Sequence, residues 1–294
     1  FPAWAYDMKT EGKIMKKILF ATTALVATAS VAAADVTMSG MARFGIQTSE
    51  GADATVDSRV NIDIKGSGET ESGMSFGGKI RMRGTDGATT LNGAQVHMSS
   101  GGVTVYAGNI PGPIDSMSGT YAKTVGFTGG TFNAYVGGGD SLAYTSTGTG
   151  SNGLQVNYAA GPLTVAVAHS PATEDEQVVV EYAMGALTIA AGAQLGNVDA
   201  DDVTVATASY SLGDWSMVVA YGDNNGTTQT SFGVSGAIAA ATSLSAYASD
   251  KDGATDSAFG IGLSHDLGGA SLGVAYESSF TGTSVMEAGV TFNF

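Results

Sequence analysis

Six basic residues stand out by their spacing: Arg43, Arg59, Lys65, Lys79, Arg81 and Arg83. Each sits in a segment where apolar and polar residues alternate, and each falls on the polar alternate. In 35–47, Val36, Met38, Ala42, Phe44 and Ile46 share one face, while Thr37, Ser39, Arg43 and Gln47 share the other. In 55–66, Val60, Ile62 and Ile64 oppose Arg59, Asn61, Asp63 and Lys65. In 73–83, Met74, Phe76, Ile80 and Met82 oppose Lys79, Arg81 and Arg83. Adjacent strands lie about 4.8 Å apart, so the six cations form one basic wall. The chemistry such a wall supports is electrostatic sorting of passing solutes. Asp115 and Asp140 are the only acids in the long connection 110–152. With that connection folded toward the wall, its carboxylates and the bases set a transverse field across a gap flanked by low-dielectric protein. The plainer alternative is that the bases only pair with Asp57 and Asp63.

Other chemistries find little support. The chain has no cysteine, which removes disulfides, thiolate metal sites and a thiol nucleophile. His97, His169 and His265 are far apart and belong to no ligand motif, so they read as lumen or rim residues. Gly148 to Gly153 fits GxGxxG but precedes a strand-like LQVNY instead of opening a helix, and reads as a flexible loop. No Gly-x-Ser-x-Gly elbow occurs, and no catalytic dyad follows from spacing. The net charge of −15 argues against nucleic acid as a partner. No cofactor is expected. Asp199, Asp201 and Asp202, or Asp250, Asp252 and Asp256, are candidates for Ca²⁺ at an outer rim, against the simpler reading of solvated acidic loops.

The elements that must position the wall are strands. Period-2 segments run over 35–47, 55–66, 73–83, 91–99, 102–109, 153–160, 163–170 and 176–184. Eight more follow at 187–195, 202–211, 215–222, 229–236, 242–249, 257–265, 270–278 and 284–294. That makes sixteen strands, many of 8–10 residues, the length a tilted strand needs to cross a bilayer. Short breaks such as SSGG (99–102), AAGP (159–162) and LGGA (267–270) alternate with longer, acidic ones such as SPATEDE (170–176), GNVDADD (196–202) and GDNNGTT (222–228). Tight turns at one rim and longer loops at the other mark an outer-membrane barrel. SLAYTST, inside 110–152, is a candidate extra strand that would make the count odd. Sixteen strands enclose too wide a space for side chains to fill, so the interior holds water and the apolar faces meet lipid. Composition agrees: charged residues are 13 %, glycine is abundant at 43 residues, and mean hydropathy is only +0.13 with no apolar run of spanning length beyond the N-terminus.

At the N-terminus, MKKILFATTALVATASVAAADV begins at Met15, with Lys16 and Lys17 ahead of an apolar Ile18–Val31 and small residues Ala32 to Ala34. This pattern predicts an export signal over 15–34, cut before Asp35, with 1–14 an upstream extension outside the native protein. Removing 1–34 leaves 8 basic and 25 acidic residues in the 260-residue domain 35–294.

DVTMSGMARFGI, SRVNIDIKGSGETESGMSFGGKIRMR, GGVTVYAGN, LQVNYAAGPLTVAVA, GIGLSHDLGGASLGVAY and the closing GVTFNF, in this order over 35–294, resemble the general diffusion porins of alphaproteobacteria, as in purple photosynthetic bacteria. The resemblance implies an all-β, 16-stranded antiparallel transmembrane barrel with a long third loop folded into the pore. It implies a homotrimer in the outer membrane of a Gram-negative cell, in contact with lipid and lipopolysaccharide. Passive diffusion of small hydrophilic solutes and ions would follow, with no enzymatic activity. It places Arg43, Arg59, Lys79, Arg81 and Arg83 on the basic side of a constriction and Asp115 and Asp140 on its loop side. Phe292 and the terminal Phe294 resemble the signal read by the barrel-assembly machinery, and their parity suits an aromatic girdle. The domain is short for the family and its loop carries few acids. A non-conducting structural or adhesive barrel is the main alternative; an outer-membrane enzyme and a soluble β-sandwich are others.

Overall fold

The computed structural model describes residues 35–128, 132–137, 152–196 and 202–294. The period-2 pattern becomes strands β1 (Asp35–Ser49), β2 (Thr55–Glu69), β3 (Ser75–Thr85), β4 (Ala88–Leu91), β5 (Gln95–Ser100) and β6 (Val103–Asn109). A single helical turn, α1 (Pro113–Ser116), opens the long connection. Then come β7 (Asn152–Ala160), β8 (Leu163–Ser170), β9 (Asp175–Met184), β10 (Leu187–Leu195), β11 (Val203–Leu212) and β12 (Trp215–Asn224). β13 (Thr227–Ala239), β14 (Thr242–Lys251), β15 (Ala258–Asp266), β16 (Ala270–Ser278) and β17 (Ser284–Asn293) complete the chain.

Every strand pairs antiparallel with its neighbour, and β1 pairs with both β2 and β17. The sheet therefore closes on itself, as hydrocarbon demands of a spanning sheet, and among the described residues only short stretches such as β4 are paired on one side alone. β4 and β5 both pair with β3, β4 at Met82–Thr85 and β5 at Ser75–Lys79. They form one barrel strand interrupted at Asn92–Ala94, so seventeen segments make sixteen staves. At the seam the Gly40 and Phe294 backbones exchange two hydrogen bonds, of 2.6 and 3.0 Å. The aromatic that ends the sequence thus closes the barrel.

The faces are set by the pleat. Val36 is 72 % exposed, Met38 69 % and Phe44 56 %, all pointing outward, while Arg43 between them is 6 % exposed and points inward. The same alternation continues around the ring, with Ile189, Val219, Phe232, Phe259 and Met286 outside. Left in water, such a band would forgo about 1.5–3 kcal/mol per large side chain; acyl chains supply the missing apolar contact. Among the described residues no helix is long and apolar enough to cross a membrane.

Two sequence expectations change. The loop expected over 222–228 shrinks to the two-residue turn Asn225-Gly226, because Asn225 (φ 50°) and Gly226 (φ 83°) take the left-handed pair a type I′ hairpin requires. The inner wall, expected to be polar, is apolar over part of its arc. Ala166, Val179, Ala190, Val203, Val205 and Ala220 point inward and form a buried cluster with Ile114, Met117 and Val136 of the long connection. The reason is that this arc is covered by chain rather than by water.

Candidate functional site

The connection after β6 follows the inner wall in strand order. It is held there by inward-pointing polar side chains that sequence reasoning did not single out. Gln155 on β7 accepts from the Gly112 amide at 3.0 Å, and Gln177 on β9 from the Ile114 amide at 3.1 Å. Glu181, four residues further along β9 and on the same face, accepts from both the amide (2.6 Å) and the hydroxyl (2.9 Å) of Ser118. Thr207 on β11 donates to the Ser118 carbonyl at 2.5 Å. Lys123 Nζ donates to Ser216 on β12 at 3.0 Å, and burial lowers its pKa. These bonds replace the water that the segment's backbone groups would otherwise keep. The visible signal in the sequence was the i, i+4 pair Gln177 and Glu181, polar residues on the inward parity of an otherwise apolar strand.

The path ends on glycines. Gly45, Gly289 and Gly273 stand side by side on β1, β17 and β16, in register and facing inward. A Cβ added to them would lie 2.5, 2.7 and 3.2 Å from atoms of Phe127. The three missing side chains make the seat into which Phe127 drops. Next to it, Thr128 donates to Glu287 through its amide (3.1 Å) and hydroxyl (2.5 Å), and its carbonyl accepts from Arg43 Nη1 at 2.7 Å. The Arg43 guanidinium also lies over the Phe127 ring, 5.8 Å from its centroid. From there the chain doubles back: the Val136 amide bonds to the Thr120 carbonyl at 3.0 Å, and the Tyr135 ring lies against Tyr121, 4.5 Å between centroids.

Among the described residues the connection contacts β7 through β17 and β1, leaving the arc of β2 to β5 uncovered. That arc carries the basic wall beyond Arg43 of β1. A cavity of about 790 Å³ lies before it, lined by Arg43, Arg59, Asn61, Asp63, Arg81 and Arg83 on one side and by Gly126, Phe127 and Thr128 on the other. The wall is braced internally. Asp57 takes two bonds from Arg43, at 2.8 and 3.1 Å. Asp63 takes two from Arg81, at 2.6 and 2.9 Å, with Lys79 3.5 Å away. Arg83 donates to Asn61 at 2.9 Å. The pairing foreseen as the plainer alternative therefore coexists with a cavity lined by these same bases.

Asp115 stands on α1, against β8, β9 and β10, and is not among the residues lining this cavity. Its carboxylate accepts the Tyr121 hydroxyl. Burial pushes the Asp115 pKa up, and burial with the adjacent carboxylate also raises that of the Tyr121 phenol. Asp140 lies outside the described residues, as do SLAYTST, Asp199 and Asp201. Asp202 caps the Gly196 amide at 3.0 Å, and no cluster of three metal-binding side chains occurs among the described residues. His97 points inward against Tyr106; His169 and His265 point outward near the two rims. Phe292 and Phe294 are on the outer face, Phe294 with its ring across Gly40.

Comparison with known proteins agrees with this architecture. A family model described as Gram-negative porin matches residues 21–294. A porin of Fuscovulum blasticum is 29 % identical over 295 residues, covering 88 % of this chain and all of that one. Among solved structures, a five-substitution variant of the Rh. blastica porin superposes with TM-score 0.81 at 28 % identity, and a two-substitution variant with 0.80 at 28 %. Both cover 88 % of this chain and 100 % of theirs. This chain, a closed sixteen-stave barrel that is greasy outside and carries a charged wall within, belongs to the Gram-negative porin family.

Proposed function

We propose that this outer-membrane porin lets small hydrophilic solutes and ions diffuse passively through its lumen, along the arc that carries the basic wall. The observation that carries the reading is the juxtaposition in one cavity of the basic wall on β1–β3 and the loop corner Phe127–Thr128. The connection narrows the passage, and Arg43, Arg59, Lys79, Arg81 and Arg83 set its charge, with Asp140 and, more remotely, Asp115 as the loop's acids. No reaction is catalysed and no energy is coupled. The functional form is a homotrimer in lipid and lipopolysaccharide, assembled through the terminal Phe294 by the barrel-assembly machinery after removal of residues 15–34. No cofactor takes part; Ca²⁺ at the outer rim near Asp202 is a minor candidate.

Planar-bilayer recording tests this. Purified protein should give stepwise openings in threes, and neutralising Arg43, Arg59 and Arg81 together should move the reversal potential in a salt gradient toward cation preference. Absence of steps would favour a plugged, structural barrel. Steps with unchanged selectivity in the triple variant would remove the wall from the mechanism.

A further inference from the structure

A second cavity, of about 270 Å³, opens at the rim from which the long connection springs, where the segment 132–136 meets β12, β13 and β14. Gly222, Gln229 and Lys251 stand side by side on those strands, in register and on the inward parity. Two of the three hold the connection. A Cβ on Gly222 would collide with the Val136 carbonyl, so its absence lets that backbone lie flush against the strand. Gln229 donates through Nε2 to the Asn133 carbonyl at 2.8 Å and to Ser249 at 2.9 Å, which leaves its Oε1 to accept from a solute. This anchoring presents a group of rings. Tyr121 lies against Tyr135 and meets Phe132 edge-on, 5.8 Å between centroids. Phe132 is 56 % exposed, and its φ of 57° is a left-handed conformation that a bulky residue keeps only where its surroundings fix it. The ring thus shows an apolar face to the lumen from a constrained backbone.

The rest of the lining says what such a ring could receive. Among the described residues the cavity is lined by no carboxylate and by one charged group, Lys251, so a cationic solute finds no counter-charge there. Its other polar groups are neutral: Asn133, Asn224, Thr227 and Gln229. The side chains of Asn224 and Thr227 make no hydrogen bond among the described residues. An amide offers both a donor and an acceptor, and a hydroxyl pairs with either. The C–H face of a pyranose ring, made slightly positive by its oxygens, suits the negative face of an aromatic ring. Rings beside neutral amides are therefore the chemistry that recognises a sugar. The volume lies just below the span usual for ligand pockets, about 300–1,000 Å³, which fits a monosaccharide better than a larger solute.

We propose that this cleft docks a neutral monosaccharide at the mouth of the passage, with Phe132 as the stacking ring and Asn224, Thr227 and Gln229 as partners of the sugar hydroxyls. The inference rests on the channel reading above but uses none of the basic wall. The test is ion current through the intact protein in planar bilayers, with glucose or sorbitol added to either side. Sorbitol carries the same hydroxyls on an open chain, so it offers no ring face and should lower the current linearly, through viscosity alone. Glucose should lower it saturably. Phe132→Ala, a change outside the strand ladder, should raise the half-saturating glucose concentration about tenfold, and Phe132→Tyr, which keeps the ring, should stay near the wild type. Glucose acting no differently from sorbitol, an unchanged half-saturating concentration in Phe132→Ala, or an equal rise in Phe132→Tyr overturns the docking site while leaving the channel intact. A protein without any conductance overturns the channel reading instead, and saturation-transfer NMR of the detergent-solubilised protein then decides the site. Transfer to glucose that is lost in Phe132→Ala supports it; no transfer, or transfer equal in both proteins, overturns it.

Discussion

Asp115 shows that a residue's type does not by itself say where the fold will set it. As one of two acids in the long connection it was a candidate counter-charge for the basic wall; the folded chain sets it against Tyr121, outside the lining of the cavity. The folded pKa is raised above the unfolded value of about 3.9. The stabilisation it gives the connection is thus complete below that value and is lost as pH rises through the folded pKa. The Val136 amide, bonded to Thr120 across the doubled-back segment, should therefore exchange hydrogen more slowly at pH 4 than at pH 7 after correction for intrinsic rates. Asp115→Asn should remove the difference; equal protection at both pH values in the wild type would contradict it. Arg43, by contrast, was legible from the sequence because the pleat alone fixes which way it points. Its contact with Thr128 was not, since a loop's landing place depends on tertiary packing and not on local period.

Among the elements, strands were readable and the connection was not. Sixteen period-2 runs map onto sixteen staves because lipid on one side and water on the other impose one alternation everywhere. The break in the stave formed by β4 and β5, at Asn92–Ala94, left no such trace. Nor did the seat of the connection. Gly45, Gly273 and Gly289 look like ordinary weak points in strands, and only their register shows that together they receive one ring. This seat yields a prediction. Phe127→Ala removes a buried ring and should cost the connection about 3 kcal/mol of its hold on the wall. Single-channel conductance should rise and ion selectivity weaken. Gly273→Ala should do the same more mildly, because the atoms nearest the added methyl belong to Phe127, at 3.2 to 3.4 Å. Heat-modifiable migration should be unchanged in both, since barrel pairing is untouched. Unaltered conductance in Phe127→Ala would show that the corner does not shape the passage.

At the scale of the whole molecule, the fold divides one cylinder into three environments: an outer apolar band, an inner arc covered by its own chain, and an inner arc of charge that the described part of the connection leaves uncovered. The first and third were foreseeable from alternation and the count of strands. The second was hidden, because inward alanines and valines such as Ala190 and Val205 carry no mark of what will cover them. Everything rests on the assignment of faces, and the absence of cysteine makes it directly measurable. Single cysteines placed at Ser39, Ser271 and Thr291, which line the cavity, should react with a charged, water-soluble thiol reagent and lower the conductance. Cysteines at their neighbours Met38, Leu272 and Phe292 should ignore that reagent and react only with a lipid-soluble maleimide, leaving the current unchanged. Current loss from the second set with silence from the first, or no alternation along the three strands, would contradict the account.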